Sequence, residues 1–174
     1  TVDPKLLRQF YSNKDWKAMV QFIRISLGLN FTVRIGYVNS GGNEKNIAWI
    51  QFPDKIPFFG SSQFNNMLVT LYIRKSLLNS MSFEAIVSTI AHEFSHMVLM
   101  GISHELEKDE MATDLTAMIL GYRDFFRIGY KPHRLNERPD IETQGKDIGD
   151  ILNKLANRIL EREGGLGVQE ISKI

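Results

Sequence analysis

The sequence contains no cysteine. This absence excludes disulfide bonds, cysteine-ligated zinc, iron–sulfur clusters and thiol nucleophiles, and it suits a reducing compartment such as the cytoplasm. No apolar run reaches the roughly 18 residues that suggest a membrane span. The N-terminus also lacks the pattern of a secretory signal peptide. We therefore expect no membrane segment in this chain.

The sequence also has no large excess of charge of either sign. It contains 21 basic and 20 acidic residues, and its formal net charge is +1. A strongly basic surface is therefore not expected, and we predict no nucleic-acid partner. The 174 residues are 43% hydrophobic and 24% charged, which is typical of one globular domain. Because the chain begins at Thr1 rather than Met, we expect a processed product or part of a longer protein with additional domains.

The spacing of apolar residues predicts an α+β fold with a small sheet. Residues 1–30 are predicted to form N-terminal helices, 31–130 the sheet and two long helices, and 131–174 a loop and a final amphipathic helix. Strands are predicted at 31–37, 46–52 and 67–73, and the second is expected to pair with the first. The long helices are predicted over about 82–100, with Ser82 as N-cap, and about 104–126.

The first long helix contains the motif His92-Glu93-Phe94-Ser95-His96. Residues four apart share a helical face, so His92 and His96 can both bind one zinc ion, at about 2.0–2.1 Å. The surrounding side chains are apolar and offer two ordinary buried histidines no hydrogen-bond partner. Glu93 can hold a zinc-bound water and accept its proton. The motif therefore predicts a Zn²⁺ cofactor with Glu93 as general base.

A catalytic zinc site requires a third protein ligand and one open position. The downstream candidates are His104, Glu105, Glu107, Asp109, Glu110 and Asp114. Glu110 and Asp114 are favoured because they lie one turn apart on the second helix. Glu110 would be the ligand, and Asp114 would accept the Nδ1–H of a ligating histidine and fix its tautomer. His104 near the turn and Asp109 on another helix face remain alternatives, and Glu107 would lie at the rim.

His92-Glu93-x-x-His96 followed by Glu110-Met-Ala-Thr-Asp114 resembles the gluzincin pattern of thermolysin-like and CAAX-prenyl-protease-like metallopeptidases. The short gap between the two motifs is similar to that of minimal zincin domains of the phage anti-repressor type. The resemblance covers about Leu68 to Tyr122. It implies a zincin-like fold, in which a small mixed sheet packs against an active-site helix and a second ligand-bearing helix. It also implies a zinc peptidase acting on a protein or peptide substrate.

Two further features follow from the resemblance. The strand before the active-site helix, 67–73 here, would lie along the cleft and pair with the substrate backbone. A His, Tyr or Arg from beyond the second helix would stabilise the oxyanion of the reaction. The candidates are Tyr122, Tyr130, His133 and Arg134, of which we favour Tyr130 and His133 in the polar loop.

Two other functions compete with a peptidase. The domain could be a non-enzymatic, regulatory zincin scaffold that binds a partner or senses a signal. It could also be a hydrolase of another substrate class, because zinc-activated water is not specific for peptides. A purely structural zinc site has no use for the general base Glu93, so we favour the enzyme.

Overall fold

The computed structural model describes residues 2–39, 47–53 and 55–129. In chain order the described elements are α1 (Pro4–Ser12), α2 (Trp16–Ser26), β1 (Thr32–Val38), β2 (Ala48–Gln51), α3 (Ser62–Asn65), β3 (Leu68–Arg74), α4 (Lys75–Leu78), α5 (Phe83–Gly101), α6 (Glu110–Ala117), the π-helical turn Met118–Tyr122 and α7 (Arg123–Gly129). The predicted α+β class is confirmed. The loop and final helix predicted over 131–174 lie outside the described residues.

The helices begin where short polar side chains can cap them. The Asp3 carboxylate accepts the N–H groups of Lys5 and Leu6 at the start of α1. Ser82 caps α5, as predicted, by accepting the Ala85 N–H at 3.3 Å. Such caps satisfy N–H groups that have no partner within the helix.

The three strands form one mixed sheet in the order β1-β3-β2. β3 is parallel to β1 and antiparallel to β2. The predicted pairing of the second strand with the first is therefore wrong. The observed pairing is explained by the burial of β3, whose Val69, Leu71 and Ile73 side chains all lie in the core. The most apolar strand takes the centre of the sheet, and β2 becomes an edge strand.

The second long helix is shorter than predicted and interrupted. α6 begins only at Glu110, because Asp109 is its N-cap and accepts the Ala112 N–H at 2.8 Å. The helical path is broken again at Gly121, whose φ of +109° is open to glycine but strained for other residues. The predicted helix over 104–126 thus consists of a turn, α6, the π-helical turn and the first residues of α7.

Helix α5 lies at the centre of the fold. Of its 19 residues, 13 are buried, and it packs against α2, α6, α7 and β2. This packing places the His92–His96 motif between α6 and the sheet. In the described part of the chain, no helix is both long and apolar enough to cross a membrane.

Candidate metal centre

Three side chains from α5 and α6 converge on one point. His92 and His96 lie one turn apart on α5, and Glu110 opens α6. Glu110 Oε2 is 3.0 Å from His92 Nε2 and 3.9 Å from His96 Nε2, and the three potential ligand atoms lie within 4.8 Å of one another. Ligand atoms of a tetrahedral zinc site are roughly 3.3 Å apart, given bonds of about 2.0–2.1 Å. The group could therefore hold a metal ion.

Asp114 orients the first histidine. Its Oδ1 lies 2.6 Å from His92 Nδ1, one helical turn after Glu110. Burial alone would lower the pKa of His92, but the hydrogen bonds to Asp114 and Glu110 outweigh it and raise that pKa to about 9. The metal-free imidazole is therefore protonated at neutral pH and donates to both carboxylates. A metal ion at Nε2 would replace one proton and leave the bond to Asp114 intact.

Thr113 and the backbone of Glu107 both contact the second histidine. Its hydroxyl donates to the Asp109 carbonyl at 2.9 Å and lies 3.2 Å from His96 Nδ1. Because its proton is already used, the hydroxyl oxygen can accept the Nδ1–H, and His96 also forms a hydrogen bond with the backbone carbonyl of Glu107. Burial lowers the pKa of His96, and the neighbouring charge of His92 lowers it further. His96 is thus held neutral, the form that binds metals.

Sequence analysis missed Thr113. The only signal available was its spacing, since Thr113 follows Asp109 by four residues and directly precedes Asp114. A threonine at that spacing often bonds back to the carbonyl one turn earlier, which is an ordinary feature of helices. Its role at His96 depends on how α6 crosses α5.

Glu93 lies beside the metal-binding group without belonging to it. Its Oε2 accepts the Ile50 N–H of β2 at 3.2 Å. Burial raises the pKa of Glu93 to about 7, against the smaller opposing effects of His92 and of the Ile50 N–H. A carboxyl group with this pKa can take up and release a proton near neutral pH.

The strand next to Glu93 is β2, so the prediction that residues 67–73 lie along the cleft is wrong. Residues 67–73 were expected to form the cleft edge, but both sides of β3 are occupied, by β1 and β2. A strand paired on both sides has no free backbone groups for a substrate. In the described residues β2 pairs only with β3, so its other side is the free edge beside the site.

The centre opens to solvent on the side of Glu110. The Glu110 side chain is 59% exposed, whereas those of His92 and His96 are 15% and 11% exposed. On the inner side, the Phe52 ring packs edge-on against His96 at 5.9 Å between centroids. A bound ion would therefore be partly shielded and still accessible from one direction.

The alternative ligands lie elsewhere. His104 is buried in the turn before α6, where its Nδ1 accepts the Leu106 N–H at 3.0 Å. Asp109 is occupied as the N-cap of α6. Neither belongs to the metal-binding group found among the described residues. Glu105 and Glu107 also lie in that turn, and neither carboxylate belongs to the group, although the Glu107 backbone is hydrogen-bonded to His96.

The predicted oxyanion stabilisers divide into two sets. Tyr122 is fully buried, and its hydroxyl forms a hydrogen bond with Ser26 of α2. This places its hydroxyl in the core. Tyr130, His133 and Arg134 lie outside the described residues.

Comparisons of this chain with protein-family models, with curated proteins and with solved structures found no match.

Proposed function

We propose that the protein is a zinc-dependent peptidase with a zincin-like fold. The observation that carries the proposal is the position of Glu93, whose partly buried carboxyl group lies beside the three potential ligands and has a pKa of about 7. A site that only holds a metal needs ligands and their supporting hydrogen bonds. It does not need an additional, partly buried carboxyl group that can exchange protons.

The donor set suits zinc. Two imidazoles and one carboxylate are the three protein ligands of many hydrolytic zinc sites, and each histidine here has a hydrogen-bonded supporting residue, Asp114 or Thr113. When bound, zinc supplies Lewis-acid activation of a water molecule and of the scissile carbonyl. Glu93 then accepts a proton from the attacking water and delivers it to the leaving amine.

The free edge of β2 supports a peptide as the substrate. Ile47 C=O accepts the Arg74 N–H at 2.8 Å, so the backbone of Ile47 faces β3. Because backbone direction alternates along an antiparallel strand, Trp49 also faces β3, whereas Ala48 and Ile50 face outwards. The bond from Ile50 to Glu93 agrees with this direction. The Ile50 N–H is held by Glu93, so an extended peptide could pair with the outward-facing groups of Ala48 and with the Ile50 C=O, which would bring its backbone next to Glu93.

The variant Glu93→Gln tests the proposal. Wild type and variant are loaded with zinc, their metal content is measured, and both are incubated with a mixture of random peptides whose products are identified by mass spectrometry. We expect equal zinc content, because Glu93 is not a ligand, and a fall in cleavage rate of about 10²–10⁴-fold, because the general base is lost. Glu105→Gln, which removes an exposed acid from the turn before α6, is the matched control and should cleave normally.

Two results would contradict the proposal. Full activity in Glu93→Gln would refute the assigned role of the base even if the metal site is right. A zinc-loaded wild type that cleaves no peptide would refute the peptidase and favour the regulatory scaffold instead.

A further inference from the structure

Two stacked aromatic side chains lie on one face of the sheet, beside a glycine. Gly36, Tyr72 and Trp49 are direct cross-strand partners on β1, β3 and β2. The rings of Trp49 and Tyr72 are stacked, with 5.5 Å between centroids and 22° between planes. A Cβ atom at Gly36 would lie 2.6 Å from Tyr72 Cδ1, so the Tyr72 ring occupies the space that glycine leaves on β1. Tyr72 is thereby held between Gly36 and Trp49.

Trp49 stands on the edge strand β2. Tyr72 of β3 stacks on its indole, and the Arg74 guanidinium lies 5.9 Å from the ring centroid. The indole is therefore held by two residues of β3. The half-buried Trp49 directly precedes Ile50, whose N–H donates to Glu93.

The direction of the β2 backbone makes Trp49 the best-placed side chain for a partner strand. Its own N–H and C=O face β3, so relative to a strand added at the free edge it occupies a non-hydrogen-bonded position. In antiparallel pairing the side chains opposite such positions approach most closely, with about 4.5 Å between Cα atoms. The partner residue opposite Trp49 would thus point to the same face of the sheet and contact the indole.

We infer that Trp49 is a specificity residue, which selects a large apolar or aromatic side chain at one position of an extended peptide substrate. The inference rests on the proposed peptidase function, because it takes the free edge of β2 as the substrate site. The inference adds the class of substrate side chain that is recognised and the residue that recognises it. Aromatic pairs contribute more than their buried area alone, so a preference of about 3- to 10-fold over alanine is expected at this position.

Positional profiling of cleavage tests the inference. Zinc-loaded wild type, Trp49→Ala, Trp49→Phe and Tyr37→Ala are each incubated with a random peptide mixture, and the residues around every cut are counted. Tyr37 is the control, because it is an exposed aromatic residue on β1, at the other edge of the same sheet. Wild type and Tyr37→Ala should both show enrichment of Phe, Tyr, Trp or Leu at one fixed distance from the cut. Trp49→Phe should retain this enrichment, and Trp49→Ala should lose it.

Two peptides that differ only in Phe or Ala at the selected position then give the magnitude. We expect kcat/KM ratios of about 3 to 10 for wild type and close to 1 for Trp49→Ala. Zinc content and a thermal melt establish that each variant is folded. If Trp49→Ala does not fold, Trp49→Thr is used in its place, since threonine is small and favours strands.

The outcomes separate the two proposals. Cleavage by wild type with no positional preference, or with a preference that survives in Trp49→Ala, overturns the role of Trp49 and leaves the peptidase standing. Absence of any zinc-dependent cleavage by wild type overturns the peptidase and this inference with it.

Discussion

Replacing Glu93 by glutamine should make the metal-free protein more stable at alkaline pH. Glutamine keeps the size of the side chain and an oxygen that can accept the Ile50 N–H, but it carries no charge. Burial raises the pKa of Glu93 from 4.5 in the free side chain to about 7 in the folded protein. At about 1.4 kcal/mol per pKa unit, ionised Glu93 lowers the free energy of unfolding by about 3 kcal/mol.

The sign of this effect gives it a distinct dependence on pH. Below about pH 4.5 the Glu93 carboxyl is protonated in both states, so it causes no loss of stability. Between pH 4.5 and 7 the unfolded chain ionises first, and wild type becomes progressively less stable. Above pH 7 the loss is complete. The stability difference between Glu93→Gln and wild type should therefore grow from near zero at pH 4.5 to about 3 kcal/mol at pH 8.

Urea unfolding of both proteins in the presence of a chelator measures this difference across the pH range. Glu105→Gln serves again as the control, because it removes an acid from an exposed position, and it should change stability little at any pH. A Glu93→Gln variant that is equally stable at pH 8, or one whose advantage does not depend on pH, would refute the burial of an ionisable Glu93.

Three further predictions concern the ligands and their supporting residues. Asp114→Asn should weaken zinc binding by about 10- to 100-fold, measured by competition with a chromophoric chelator, because asparagine no longer holds the His92 ring as a carboxylate does. Thr113→Val should weaken it by roughly tenfold, while Thr113→Ser keeps the acceptor for His96 and should bind normally; equal losses in both would argue against the hydroxyl. Zinc binding between pH 7 and 9 should release about one proton, because the pKa of metal-free His92 is about 9, and zinc affinity should fall about tenfold per unit as the pH drops through this window. Calorimetry in buffers of different ionisation enthalpy counts this proton, and an affinity independent of pH would contradict the prediction.

The part of the site on α5 could be predicted because it depends on local spacing. The repeat of apolar residues and the cap at Ser82 predict α5, and any helix brings residues four apart to one face. The same rule predicted that Glu110 and Asp114 would lie together on α6. Helix periodicity says nothing about where α6 crosses α5, so the contact between Thr113 and His96 could not be foreseen.

The sheet was harder to predict because its pairing is not local. The first two strands follow each other in the sequence and were expected to pair, and only the burial of β3 on assembly shows why β3 takes the central position. The start of α6 was missed for a related reason. Asp109 is one acid among several in its segment, and nothing in the spacing distinguishes a cap from its neighbours.

The brevity of β2 limits how firmly another folded chain can pair with this edge of the sheet. An open sheet edge is a template on which another chain can pair, and long open edges promote aggregation. β2 has four residues and extends over about 13 Å, with only Ala48 and Ile50 directing backbone groups outwards. Two copies joined through this edge would share few hydrogen bonds, too few to hold two folded domains together. A single extended segment can in addition contact the residues around Glu93, so this edge suits an extended peptide better than a second folded copy.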